Sequence, residues 1–291
     1  AGEHGVLIVL VVHVRIGDEE QARANAANEG EQLRAHFGGG DMPQFSRFQI
    51  HEDDIGHSQL LCRGSRLLPL TESLPKCLLP VRDTTLLGYQ LDTLQAAGVS
   101  EAVVVTGFLP SLVEAELAKR TGPMPATPFF NPFFQVADNL ASCWLVREHM
   151  NDDFLLINGD TLFEEALAAK VIAAPACPIA VTINQKGGYD LDDMKVTLSG
   201  TKLTAIGKTL TAEQTNAESI GMLRFMGEGP QIFRNKLEQL MRTQDGVHAW
   251  FLKAIDAIAG ASTVETTAIT GMRWAEVDTV SDFEALKANG F

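Results

Sequence analysis

A chain of 291 residues allows one large domain or two smaller ones, at roughly 150 residues each, and leaves ample length for a core. With 45% hydrophobic and 21% charged residues, 25 glycines and 12 prolines, the composition excludes collagen, coiled coil and wholesale disorder. Lys and Arg number 23 against 37 Asp and Glu, and the resulting net charge of −14 disfavours nucleic acid and anionic membrane as partners.

The first apolar run, Gly5 to Val14, is half the length a bilayer-spanning helix needs and predicts a strand over Val6–Val14. No basic residue precedes it, so it does not read as a secretory signal and the chain is expected to be cytoplasmic. Asp18 then caps a polar, helix-like run to Phe37, Gly38-Gly39-Gly40 stops it, and Phe45–Ile50 reads as a second short strand. Five of the seven histidines and no lysine lie in residues 1–57, which sets this stretch apart as an atypical, β-α-β-like extension ahead of a main domain over 58–291. The histidine spacing matches no metal-ligand pattern.

Beyond Ser58, helical and strand patterns alternate. Helices are predicted at Leu86–Ala97, Leu112–Arg120 and Asn139–His149, with strands at Glu101–Thr106 and Phe154–Asn158. Further strands follow at Ile179–Asn184, Met194–Leu198 and Glu218–Phe225, helices near Gln231–Met241 and Ala249–Ala259, and a last strand–helix unit from Arg273. The alternation predicts an α/β fold with a mostly parallel, Rossmann-like sheet flanked by helices, and AVVVT and FLLIN read as its central strands. Cys62, Cys77, Cys143 and Cys177 are widely spaced without CxxC pairing, which predicts reduced, buried thiols.

The segment from Arg63 to Lys76, RGSRLLPLTESLPK, sets basic residues around a glycine in a protein short of positive charge. Glycine lets backbone approach phosphate oxygens, Arg binds them through its fork and Lys acts as a compact point charge. Two carboxylate motifs follow: Asn158-Gly159-Asp160 at the end of an apolar strand, and Glu276-Val277-Asp278 before a helix. Strand alternation puts Glu276 and Asp278 on one face.

GSRLLPLT followed by LPKCLLPV, with the NGD strand and the EVD segment at the expected order and distance, resembles the nucleotidyltransferases that join NTPs to sugar phosphates or phosphocholine. The resemblance runs from about Arg63 to Phe291 and implies a nucleotide-diphospho-sugar transferase-like fold. It leans towards the phosphocholine cytidylyltransferase-like branch, on Asn131-Pro132-Phe133-Phe134, Asn139 and Ser142, and on DDMKV and ESIG. It implies that Cys62, Arg63, Gly64, Ser65, Arg66, Lys76 and Asn139 contact the nucleotide. Asp160 and Asp278 would hold Mg²⁺ with Glu276 as a possible third ligand, a hard-oxygen set that suits this ion. Arg66, Lys76, Asp160 and Asp278 would carry catalysis.

An acceptor with a quaternary ammonium needs aromatic faces and carboxylates, for which Phe129, Phe130, Phe133, Phe134 and Tyr189, with Asp190, Asp192 and Asp193, are candidates; the resemblance also implies that Glu218 contacts the substrate and that Lys195 meets the acceptor phosphate. The implied reaction joins CTP to a phosphorylated alcohol of phosphocholine type with release of pyrophosphate. A hexose 1-phosphate acceptor is the alternative, and a homo-oligomer is left open. The sequence departs from the family pattern at Leu61 and Cys62, where Ala and Gly are usual, which leaves open a catalytically impaired nucleotide-binding homologue. The opening strand there is also short of apolar residues, so Val6–Val14 stands as an alternative first strand, with residues 15–57 as an insertion.

Overall fold

In the computed structural model of the chain, the described residues are 9–13, 65–288 and 290. The expected helix to Phe37 and strand Phe45–Ile50 lie outside them.

The first described strand, β1 (Val9–His13), is followed by a short ribbon of β2 (Pro80–Val81) and β3 (Thr84–Thr85) and then helix α1 (Leu86–Ala96). The α1 N-terminus is capped by Thr85, whose Oγ1 accepts a hydrogen bond from Gly88 N at 3.0 Å. Strand β4 (Glu101–Thr106), helix α2 (Pro110–Ala118), β5 (Ala126–Phe130) and α3 (Asn139–Leu145) come next, with Pro110 opening α2 where its missing N–H costs nothing. Strands β6 (Phe154–Asn158) and β7 (Thr161–Phe163) flank Asp160, and α4 (Glu165–Ala173) leads to β8 (Ile179–Asn184). The remainder is β9 (Lys195–Ser199), β10 (Lys202–Gly207), β11 (Ala217–Phe225), α5 (Gly229–Met241), α6 (Phe251–Ala259), β12 (Val264–Ala268), β13 (Trp274–Glu276) and α7 (Val280–Ala288).

Nine strands form one sheet in the order β5-β4-β1-β6-β11-β8-β12-β10-β9. The α/β class is as expected, but the sheet is mixed rather than mostly parallel. Among the described residues only β4–β5 and β8–β12 pair in parallel, because β1, β11 and β10 run against their neighbours and separate strands that share one direction. Helix–strand alternation fixes the direction of strands joined by crossovers; it is silent on a strand inserted between them.

The N-terminal apolar run enters the main sheet. Strand β1 lies in the centre of the sheet, antiparallel to both β4 and β6, with His13 opposite Glu101 and Phe154. Leu10, Val11 and Val12 are fully buried, as an apolar run without a polar face requires. A boundary at residue 57 therefore does not separate this strand from the main domain.

Helices α3, α5 and α6 cover one face of the sheet, over a stack in which Phe154 and Phe225 lie 4.4 Å apart and Phe225 and Phe233 4.6 Å apart. Helices α1, α2 and α4 contribute Leu87, Leu91, Val113 and Leu167 to the opposite face. A third apolar cluster joins Leu67 and Leu79 to Leu162, Val277 and Phe283, and so clamps the segment after the basic loop onto the β7–β13 ribbon and α7.

Cys77 and Cys143 are buried and Cys177 partly so, all three free; burial pushes the Cys77 and Cys143 thiols well above their ordinary range, so both pack as apolar groups. Among the described residues no helix is long and apolar enough to cross a membrane.

Candidate active site

Asp160 follows β6 at its carboxyl end, where open α/β sheets take ligands. The β7–β13 ribbon brings the second carboxylate to it: Glu276 pairs with Thr161, and Val277 N donates to Asp160 O at 3.2 Å. The clamped segment carries Lys76 into the same place. Lys76 Nζ donates to Asp160 Oδ2 at 2.8 Å and to Asp278 Oδ1 at 2.7 Å, while Arg66 reaches Asp278 Oδ2 at 3.3 Å and Asp192 Oδ2 at 3.2 Å. Four residues expected to act together, Arg66, Lys76, Asp160 and Asp278, thus form one ion-paired cluster.

Its electrostatics are unbalanced. Burial pushes the Asp160 carboxyl up, and the neighbouring Asp278 adds to this against the pull of Lys76. Burial also works against the charge on Asp278, yet Lys76 and Arg66 outweigh it and hold that carboxyl below its usual range. Lys76 is raised, because the two carboxylates overcome its own desolvation. Glu276 is pushed up to about 8 by burial and by the charges of Asp160 and Asp278. One oxygen, Asp160 Oδ1, is buried without a hydrogen-bond partner, in a side chain only 7% exposed. An acceptor oxygen left bare at such a site suits a cation that arrives with the substrate.

Among the described residues no three carboxylate, imidazole or thiol groups converge on one ion site. Asp160 and Asp278 are drawn together by Lys76, and Glu276 does not complete a three-ligand cluster with them. Of the expected nucleotide loop, Cys62, Arg63 and Gly64 lie outside the described residues, and Ser65 opens a short 3₁₀ turn that runs to Leu67. Asn139 is engaged elsewhere: its Oδ1 accepts from Phe251 N at 2.8 Å and ties α3 to α6.

The acceptor-side residues divide. Tyr189, Asp192 and Asp193 lie in the loop between β8 and β9, next to Glu218 on β11. Glu218 accepts from Asn184 Nδ2 at 2.8 Å and pairs with Lys186, a residue the sequence reading passed over, at 2.6 Å. The only signal for Lys186 was a lysine just ahead of the acidic run 190–193. Lys195 is buried and donates to the carbonyls of Leu191 and Lys208 at 3.3 and 3.1 Å, so its ammonium pins the loop. The wider aromatic cage does not form: Phe129 and Phe130 sit on β5 at one edge of the sheet, five strand positions from β8, about 24 Å at strand spacing. Phe129 instead packs edge-on against His149, and Phe130 lies near Phe134 on the surface.

Comparison with known proteins identifies the family and the fold. Residues 63–249 match the MobA-like NTP transferase domain. The chain is 24% identical over 253 residues to a CTP:phosphoglutamine cytidylyltransferase of Campylobacter jejuni, covering 76% of this chain and 94% of that protein. It is 35% identical over 112 residues to a CMP-5'-(3-aminopropyl)phosphonate synthase of Streptomyces rubellomurinus, and 28% identical over 101 residues to a choline-phosphate cytidylyltransferase of Streptococcus pneumoniae. Those two matches span 38% and 35% of this chain, and 18% and 42% of the relatives. The fold superposes on a CTP:phosphocholine cytidylyltransferase of Streptococcus pneumoniae with TM-score 0.63 at 18% identity, over 78% of this chain and 94% of that one. It superposes equally on a UDP-glucose pyrophosphorylase bound to UDP-glucose, with TM-score 0.65 at 16% identity, over 78% and 94%. The matched segment takes in Arg66, Lys76 and Asp160 and covers more than half of the chain, which belongs to the MobA-like NTP transferase family and is a nucleotidyltransferase.

Proposed function

We propose that the chain transfers the cytidylyl group of CTP to the phosphate of a small phosphorylated alcohol of the phosphocholine type. The observation that supports this most directly is the Lys76 bridge between Asp160 and Asp278, with Asp160 Oδ1 bare beside it. An oxygen of the acceptor phosphate attacks the α-phosphorus of the NTP in line, the new P–O bond forms, the α–β bridging bond breaks, and pyrophosphate leaves. The attacking oxygen is already an anion, so no general base is required, and the barrier lies in aligning two mutually repelling anions. Arg66 and Lys76 neutralise the triphosphate and the charge that grows on pyrophosphate. Each does so by exchanging a carboxylate partner for a phosphate oxygen, which lets the site stay charge-paired before substrate arrives.

Asp160 and Asp278 fit a divalent ion with the oxygen preference of Mg²⁺, which supplies charge neutralisation between the two phosphates when bound. Glu276 lies close enough for its charge to be coupled to both aspartates. Its pKa of about 8 lies above its ordinary 4.5, so at neutral pH it holds a proton in the folded chain that the unfolded chain releases. The stability of the ion-free protein should therefore fall as pH rises from about 4.5 towards 8. Adding Mg²⁺ near pH 7 should release a proton. Glu276→Gln should flatten the pH dependence and suppress the proton release, as read by thermal melts across pH and by calorimetry in buffers of different ionisation enthalpy. An unaltered slope would separate Glu276 from the carboxylate pair.

The decisive assay is pyrophosphate release with CTP and UTP, each offered phosphocholine, phosphoethanolamine and glucose 1-phosphate. Release with CTP and an amino-alcohol phosphate supports the reading. Release with glucose 1-phosphate alone replaces it with a hexose-1-phosphate transferase. Silence with every pair, together with failure to bind CTP, would leave an impaired homologue whose altered loop no longer holds nucleotide.

A further inference from the structure

Lys186 stands at the acceptor side of the site and belongs to none of the motifs above. Its Nζ lies 2.6 Å from Glu218 Oε2, 2.8 Å from Asp193 Oδ2 and 5.8 Å from the centroid of the Tyr189 ring. Two carboxylates and an aromatic face are what an ammonium ion seeks.

The walls of this box are held by contacts that do not involve the lysine ammonium. Glu218, with a side chain 5% exposed, is fixed by Asn184 Nδ2; Asp193 Oδ2 accepts from Asp190 N at 2.7 Å; Tyr189 Oη donates to Asn216 O at 3.0 Å. Lys186 differs. Its side chain is one-third exposed on a flexible four-carbon stem and is followed by Gly187 and Gly188, around which there is open space. The box also adjoins the reacting centre, because Arg66 contacts both Asp278 and Asp192, the residue before Asp193.

We infer that Lys186 is a tethered stand-in for the substrate's cation: its ammonium fills a subsite of Asp193, Glu218 and Tyr189 that the ammonium head of the acceptor enters by displacing it. This rests on the reading of the acceptor as a phosphorylated amino alcohol. A buried Glu218 with no cation beside it would be costly, and the lysine removes that cost while the site waits. Burial works against the charge on Lys186, but Asp193 and Glu218 together raise its pKa, so the stand-in is charged at neutral pH. An acceptor without a positive head leaves Lys186 in place and forgoes the subsite, which makes the lysine a selectivity device as well as a counterion.

The test is lysine footprinting of the full wild-type chain with an acetylating reagent, read by peptide mass spectrometry. Phosphocholine or phosphoethanolamine should raise modification of Lys186 several-fold, and ethyl phosphate at the same concentration should not. Lys186→Met should in parallel lower the KM for phosphocholine several-fold and leave the KM for CTP unchanged. Unchanged or diminished Lys186 reactivity with the amino-alcohol phosphates would overturn the inference, as would a raised phosphocholine KM in the variant. If no acceptor is turned over while Lys186 still becomes reactive, the proposed reaction fails and the ammonium subsite stands. Should Lys186→Met not fold, the wild-type footprint decides alone.

Discussion

Replacing Asp160 with Asn should lower kcat/KM at least about 100-fold, equivalent to about 2.7 kcal/mol of transition-state stabilisation, while the Tm moves by no more than about 3 °C. The two halves of this expectation have separate causes. The activity falls because Asp160 presents the one bare buried oxygen of the cluster and shares Lys76 with Asp278, whereas an amide has no negative charge and only one acceptor oxygen: with that oxygen kept for Lys76, an NH2 faces the bare position and repels a cation. The fold survives because burial and Asp278 already work against the charged form of Asp160. With its folded pKa above its ordinary 3.8, the ionised carboxyl costs stability at neutral pH, and a neutral isostere removes that cost while Lys76 loses one of two partners. Kinetics and thermal melts on the same sample check both halves. Retained turnover would falsify the role of Asp160, and a collapsed Tm would show that the carboxylate is structural.

Most of the reacting centre was legible in the sequence, and the reason is physical. Arg66, Lys76, Asp160 and Asp278 sit in short segments whose chemistry is locally encoded: a basic stretch, an apolar strand that ends in an acid, and an acid pair before a helix. Their convergence then follows from Asp160 at the carboxyl end of β6, from the β7–β13 ribbon that carries Asp278 to it, and from the apolar cluster that holds the segment of Arg66 and Lys76 against that ribbon. What could not be read depends on long-range pairing. The direction of β1 is set by its neighbours β4 and β6, and a buried strand that is apolar on both faces gives the same pattern whichever way it runs. The wider aromatic cage fails for a related reason, since residue types that suit an ammonium do not by themselves place β5 near the loop after β8. Lys195 and Asn139 look available in sequence because their partners, two backbone carbonyls and a helix N–H, leave no trace in composition. Lys186 was invisible in the opposite sense: only the fold brings Glu218 to the acidic loop and turns an ordinary surface lysine into an occupant.

Replacing Lys76 with Met should damage both activity and stability, and the pH dependence of the damage identifies its origin. Lys76 is the cation that Asp160 and Asp278 share, and removing one partner of a largely buried ion pair typically costs about 3–5 kcal/mol because the remaining charges are left unpaired. With its side chain 18% exposed, the lower end, about 3 kcal/mol, is expected here. In the wild type the raised pKa of Lys76 contributes stability that is fully present below its ordinary 10.5 and is lost only as pH rises through the folded value. In Lys76→Met the deficit should instead be greatest at neutral to alkaline pH and shrink in acid, as Asp160 and Asp278 take up protons. Adding Asp160→Asn to Lys76→Met should restore part of the lost stability, since it removes one of the unpaired charges, yet restore none of the turnover; a double-mutant cycle of melts and kinetics measures both. Mg²⁺ alone, without nucleotide, should raise the Tm of Lys76→Met more than that of the wild type, because the lysine no longer competes for the two carboxylates. A stability loss independent of pH, or a double variant no more stable than the single one, would mean that Lys76 supports the fold through its aliphatic stem and that the carboxylates do not depend on its charge.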